Sequence, residues 1–307
     1  MADASFALLD DRGVLAVSGP DRRAFLQGLV SNDVDKVGPD QARYAALLTA
    51  QGKYLHDFIM VETVGVTAEA GAAILLDAEA RRLADLKRRL SIYRLRAKVA
   101  LEERPDLAVA AVFGDGALAA LDLPGEPGTA RAFAGGIALV DPRLAALGAR
   151  CVLPRERARS MLVEAGLTGT GAAAYDDLRL GLGVPDGSRD LVIEKSILLE
   201  AGFDELNGVD WNKGCYIGQE LTARTKYRGL IKRRLVPVMI VGPAPPPGTA
   251  VTADGRDVGE MRSSRDRHGL AVLRIETLLG DKPLMAGEAV VVPATPGWMR
   301  FPEAGGA

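Results

Sequence analysis

The sequence predicts an α+β body followed by a small all-β domain, and three features carry that prediction. Through residues 1–232, short apolar runs of strand length interleave with apolar residues at helical spacing. From Arg233 onward only the strand-like runs continue. The chain, 307 residues long and 48% hydrophobic, is long enough to bury a sizeable core and exceeds the usual length of one domain. The expected division is an α/β region over 1–232, made of two subdomains, and a small all-β domain over 233–307.

The elements follow in order. Val14 to Val17 reads as a strand, Ser18-Gly19-Pro20-Asp21 as a helix start, and Phe25, Leu26, Leu29 and Val30 as the inner face of that helix. Ala45 to Leu48, Phe58 to Val64 and Ala73 to Leu76 read as strands. Asp77 is placed to cap a helix whose Leu83, Leu86 and Leu90 form one apolar stripe. Its other face, with Arg81, Arg82, Lys87, Arg88 and Arg89, reads as a solvated surface. Strands are expected near Val99 to Leu101, Leu107 to Phe113 and Ile137 to Val140, with a Pro/Gly-rich stretch from Leu123 to Gly128. Pro154 is expected to open a helix that Gly166 closes, Met161 and Leu162 facing inward. In the last domain, Leu235 to Val241, Thr249 to Thr252, Leu270 to Ile275 and Ala289 to Val292 are the strands, and Glu303 to Ala307 a frayed end.

Composition narrows the function classes. Thirty-eight basic residues against forty acidic ones remove any global electrostatic case for a nucleic-acid partner. No apolar run approaches the roughly 20 residues of a membrane-spanning helix. Early acidic residues at Asp3, Asp10 and Asp11 match no leader pattern, so a bacterial-type cytoplasmic location is expected; separately, the chain is expected to be monomeric alone. With Cys151 and Cys215 as the only cysteines and His56 and His268 as the only histidines, no familiar metal-binding spacing exists within the chain. The Gly-rich text after Arg179 follows a helical pattern and meets Pro185, so it reads as a helix end and not a nucleotide loop.

The segment Lys213 to Glu220, KGCYIGQE, has no packing periodicity. Gly214 and Gly218 bracket Cys215 and permit backbone that a Cβ would forbid. Gln219 to Thr225 can form a helix whose N-terminus would follow the thiol closely, and Lys213 adds a neighbouring cation. Both influences favour a thiolate, making Cys215 a candidate nucleophile or soft-metal ligand. Cys151, inside a strand-like run, reads as a buried apolar residue. The basic run Lys226, Arg228, Lys232, Arg233 and Arg234 reads as a solvated strand edge and not as a tRNA contact.

KGCYIGQE, with FLQGLVSNDV at Phe25 to Val34, YAALLTAQGKYLHDF at Tyr44 to Phe58, YRLRAKV at Tyr93 to Val99, LEAGFDELNGVDW at Leu199 to Trp211 and TKYRGLIKRRL at Thr225 to Leu235, resembles the YgfZ-type folate-binding proteins. That family includes mitochondrial iron-sulfur assembly factors. The resemblance implies the fold of the glycine cleavage T-protein: α/β domains around a central folate cavity, then a C-terminal β-barrel. It implies binding of tetrahydrofolate or a one-carbon derivative, and assistance to 4Fe-4S cluster assembly or repair in recipient enzymes, including those that modify tRNA. Cys215 would be a transient thiolate ligand shared with a partner such as an A-type iron-sulfur carrier, within a motif of Lys213, Gly214, Tyr216, Gly218, Gln219 and Glu220. Asp57, Arg94, Glu200, Trp211 and Arg224 are the expected folate contacts. The alternative it implies is a folate-dependent aminomethyl transferase. His56 stands where the T-protein has a carboxylate and Gly181 where it has Glu, which thins the acid set that transfer needs and ranks assembly first.

Overall fold

A computed structural model describes residues 4–63, 71–229, 231–278, 280 and 282–301. The chain divides into two compact units, one of Met1–Leu48, His56–Tyr175 and Leu206–Ile217, the other of Thr49–Leu55, Asp176–Glu205 and Gly218–Ala307.

The first unit holds two sheets. One has six strands in the order Thr168–Thr170, Ser5–Leu8, Leu107–Phe113, Ala149–Pro154, Gly136–Val140, Ala130–Phe133. Only its first pair is parallel. Phe6, Val112, Leu153 and Leu162 fill its apolar side, and Cys151 lies fully buried among them. Burial pushes that thiol up to about 12, so it stays protonated, as expected of a core residue. The second sheet runs Arg43–Leu48, Tyr54–Thr63, Ala73–Glu79, Arg12–Ser18, Ala100–Glu103. Almost every residue of its three central strands is buried, so continuous apolar text rather than alternation marked them. Val64, the expected end of one strand, and the expected frayed end Glu303–Ala307 lie outside the described residues.

Four local expectations are corrected. Asp77 does not cap a helix: the strand runs on through it to Glu79, where it pairs with Arg12, and the helix starts at Leu83. Leu83, Leu86 and Leu90 are buried as expected, but Arg82 and Arg89 of the supposed solvated face turn back towards His56 and Asp85. Asp21 gives its helix no side-chain cap; its carboxylate accepts from the Lys98 amide at 2.8 Å, and the helix is only Arg22–Gln27. Pro154 ends a strand and the following helix is Ala158–Glu164, with Met161 and Leu162 buried.

In the second unit the all-β segment closes into a six-stranded barrel: Arg233–Val241, His268–Arg274, Arg256–Arg265, Ala250–Ala253, Leu284–Ala286, Ala289–Pro293. Val236, Val238, Met261, Ala271, Leu273 and Val291 fill its interior. Two of these strands, Arg256–Arg265 and Leu284–Ala286, escaped the sequence reading because their residues are mostly polar or too few. Ile275, expected to end a strand, instead opens the short helix Ile275–Leu278. Arg234 is not a solvated edge residue. It is buried, donating to the Leu199 carbonyl at 2.7 Å and to Glu205 at 2.7 Å.

Candidate functional site

Cys215 is the exposed cysteine of the pair. It sits on a loop whose fixing points are distant in sequence. The Nζ of Lys213 donates to the carbonyl oxygens of Gln27 at 2.9 Å, Val30 at 2.6 Å and Asn32 at 2.8 Å. The same ammonium lies 5.1 Å from the centre of the buried Tyr216 ring, within cation–π range. The Ile217 amide donates to the Gly28 carbonyl at 3.1 Å. Upstream, Ser31 Oγ donates to the Gly208 carbonyl at 2.6 Å, and Asn32 Nδ2 to the Asn207 carbonyl at 2.7 Å. The segments around Phe25 to Val34 and around Lys213 are therefore one structure.

This arrangement reassigns Lys213. Its three N–H groups are all taken by carbonyls, so its ammonium anchors the loop, whereas the sequence reading had it charging the neighbouring thiol. Burial pushes it down to about 8, opposed by Asp33, Asp210 and Asp35.

The two glycines differ in their reasons. Gly218 has φ +82° and precedes the helix Gln219–Tyr227, a conformation that disfavours any Cβ. Gly214 has no such constraint, since a Cβ added there would meet no atom within 4 Å. Its effect is to leave bare the surface next to the thiol. Gln219 and Glu220 form the first turn of the helix, in the second unit, where Gly52 packs against the flanking Gly218 and Leu221. A Cβ on Gly52 would come within 2.6 Å of Leu221 Cβ and 2.7 Å of the Gly218 carbonyl oxygen.

The expected folate contacts are scattered in environment. Asp57 is buried and its Oδ2 accepts from the Tyr44 hydroxyl at 2.8 Å. Arg94 is exposed at the end of the helix Leu83–Arg94, and Trp211 is half-buried beside the Lys213 loop. In the second unit Arg224 is exposed, while Glu200 lines a cavity of about 440 Å³ with Lys195, Arg233, Glu260 and Arg262. Burial raises the Glu200 carboxyl, against the pull of Lys53 and Arg233.

Sequence reading missed a buried ionic chain in the first unit. Arg12 and Arg150 both reach Asp77, at 2.7 and 3.1 Å. Arg150 and Arg143 share Asp141, at 3.4 and 2.7 Å, and both donate to the Tyr175 hydroxyl. The Arg143 guanidinium lies 5.6 Å from the Tyr44 ring, whose hydroxyl meets Asp57. Arg12 and Arg150 thus pair with Asp77, Arg143 and Arg150 with Asp141, and the chain ties the five-stranded sheet to the six-stranded one. Burial opposes ionisation of Asp141, but the Arg143 guanidinium holds its carboxyl below the usual range. The available signal was an arginine inside the strand-like text around Cys151: a buried cation demands partners.

His56 is buried with its Nε2 3.0 Å from Asp85 Oδ2 and 3.4 Å from Arg82. Burial, reinforced by Arg82, pushes it down to about 4, so the ring is neutral near pH 7.

Among the described residues no group of three or more His, Cys, Asp and Glu could hold a metal ion, and no helix is long and apolar enough to cross a membrane.

Residues 232–301 match the family model of the CAF17 C-terminal beta-barrel domain. The chain is 36% identical to the human mitochondrial iron-sulfur cluster assembly factor IBA57 and 35% identical to the one from Mus musculus, in each case over 94% of this chain and 84% of the relative. In fold it is similar to the glycine cleavage system aminomethyltransferase T from Bartonella henselae, with TM-score 0.77 and 17% identity over 97% of this chain and 87% of that one. The T-protein-like fold with a C-terminal barrel is thereby established. The expected bacterial-type cytoplasmic location is overturned, because these relatives are mitochondrial proteins. Acidic residues near the start of a sequence do not decide its compartment.

Proposed function

The chain belongs to the family of the iron-sulfur cluster assembly factor IBA57, and from that premise we propose that it assists assembly or repair of 4Fe-4S clusters in recipient enzymes, with the Cys215 thiolate as a transient ligand. The carrying observation is an exposed thiol on an anchored loop with bare surface beside it at Gly214. A 4Fe-4S cluster takes about four thiolate ligands. Cys151 is buried and held protonated, so this chain offers one reachable thiol and the remaining ligands come from a partner. An A-type carrier before transfer and a recipient enzyme after it, including enzymes that modify tRNA, fit that need.

The finer reading is the YgfZ-type one, in which tetrahydrofolate is bound as well. Trp211, close in sequence to Lys213, makes it measurable. Tetrahydrofolate should quench Trp211 fluorescence, and Cys215→Ala should retain both that quenching and the fold while losing cluster delivery to an enzyme such as aconitase. Full delivery by the variant would sink the thiolate role; no quenching in a Trp298→Phe background, where Trp211 is the sole tryptophan, would count against folate near it. For the alternative, aminomethyl transfer, no observation speaks: position 56 carries a neutral ring bound to Asp85 where the chemistry wants a carboxylate.

A further inference from the structure

Three backbone carbonyls, of Gln27, Val30 and Asn32, converge on one point at 2.9, 2.6 and 2.8 Å, and the point is occupied by the Lys213 ammonium. Carbonyl oxygens at such a point form a seat for a cation. The spacing exceeds the roughly 2.3–2.6 Å of Ca²⁺ and the roughly 2.0–2.1 Å of Mg²⁺, so it suits an ion the size of ammonium or potassium. The Tyr216 ring, 5.1 Å away, adds a π face to the same seat.

The chain places its own cation there on a flexible tether, and Cys215 is two residues from the tether's root. Few other restraints act at the thiol itself: Gly214 touches nothing that a Cβ would meet, and Cys215 is exposed. The loop is held as well by the buried Tyr216 ring, the Ile217 amide on Gly28 and the Asn212 amide on Asp210 at 2.8 Å.

We infer that Gln27, Val30 and Asn32 form a monovalent-cation seat which the Lys213 ammonium fills, and that Lys213 is thereby a positioning residue that sets how Cys215 is presented to a partner. Occupancy of the seat, not the covalent tether as such, holds the loop. The inference rests on the proposed cluster role only for its biological use.

The test is chemical rescue of Lys213→Ala by free ions. Cys215 is alkylated with iodoacetamide in ammonium, potassium, sodium or choline chloride at equal ionic strength, and modification is located by mass spectrometry. Unmodified Cys151 certifies the fold. In sodium or choline the variant's alkylation rate should rise about threefold as the loop loosens, and ammonium or potassium should return it towards wild type. Lys213→Met, whose uncharged chain blocks the seat's mouth, should be altered in all four salts. A Lys213→Ala rate equal to wild type, or one altered equally in all four salts, overturns the inference. If the variant folds but is too unstable for labelling, its melting temperature reads the same seat: a larger rise in ammonium than in choline supports the inference, and equal rises refute it. Cluster delivery is measured alongside and should fall roughly tenfold with Lys213→Ala, with the same ion dependence. Ion-dependent alkylation without delivery even by wild type would leave the seat standing and remove the cluster reading.

Discussion

The Lys213 ammonium lies 2.6 Å from the carbonyl oxygen of Val30, a residue 183 positions earlier. That bond makes the cysteine motif and the segment following the first helix of the chain parts of one site, and it sets the order in which the site can be tested.

The two thiols should separate cleanly. Cys215 is exposed, whereas Cys151 is fully buried with its thiol pushed up to about 12. Titration of the native protein with a thiol reagent at pH 8 should modify Cys215 alone, and unfolding in guanidinium should release the second. Rapid native labelling of Cys151 would contradict the packing of the six-stranded sheet.

Gly52 and Gly214 should respond in opposite ways. Gly52→Ala introduces a Cβ 2.6 Å from Leu221 at φ +78°, so melting temperature should fall, with a loss of about 2 kcal/mol or more. Gly214→Ala meets open space and should leave stability within about 0.5 kcal/mol. Its larger footprint beside the thiol should nevertheless slow partner-dependent cluster delivery. Unimpaired delivery by Gly214→Ala would mean that the partner does not approach this side of Cys215.

His56 should contribute to acid sensitivity. The unfolded chain takes up a proton near pH 6.5, while the native ring, by burial, resists it until about 4. The unfolded state therefore binds more protons across this window, and stability present above pH 6.5 is lost as pH falls towards 4, by about 3 kcal/mol. Urea melts of wild type and His56→Gln from pH 7 to 4 read the effect. The variant should show a shallower slope, and equal slopes would refute it.

The buried ionic chain should be unforgiving of single cuts. Arg150 sits between Asp77 and Asp141 with its guanidinium almost wholly excluded from solvent. Arg150→Met leaves those carboxylates undercompensated and should cost about 3–5 kcal/mol by denaturant unfolding. Tyr44→Phe, which removes the hydrogen bond to Asp57, should cost about 1–3 kcal/mol. A neutral Arg150→Met would mean that water reaches the carboxylates.

By itself the sequence determined the elements whose residues carry their own reason: the strand Leu107–Phe113, the Leu83, Leu86, Leu90 stripe, an all-β segment from Arg233 and a buried Cys151. Apolar periodicity and composition are local, so they can be read along a line. Tertiary structure alone decided what depends on meeting a distant partner. Asp77 is a fair helix cap by its neighbours, yet Arg12 and Arg150 claim it for the interior. Arg234 is an exposed cation by its neighbours, yet Leu199 and Glu205 bury it. Lys213 stands next to the thiol in sequence, but carbonyls from the other end of the chain use all three of its protons. A charge takes the partner that best offsets its desolvation, and that partner is chosen by the fold and not by sequence distance.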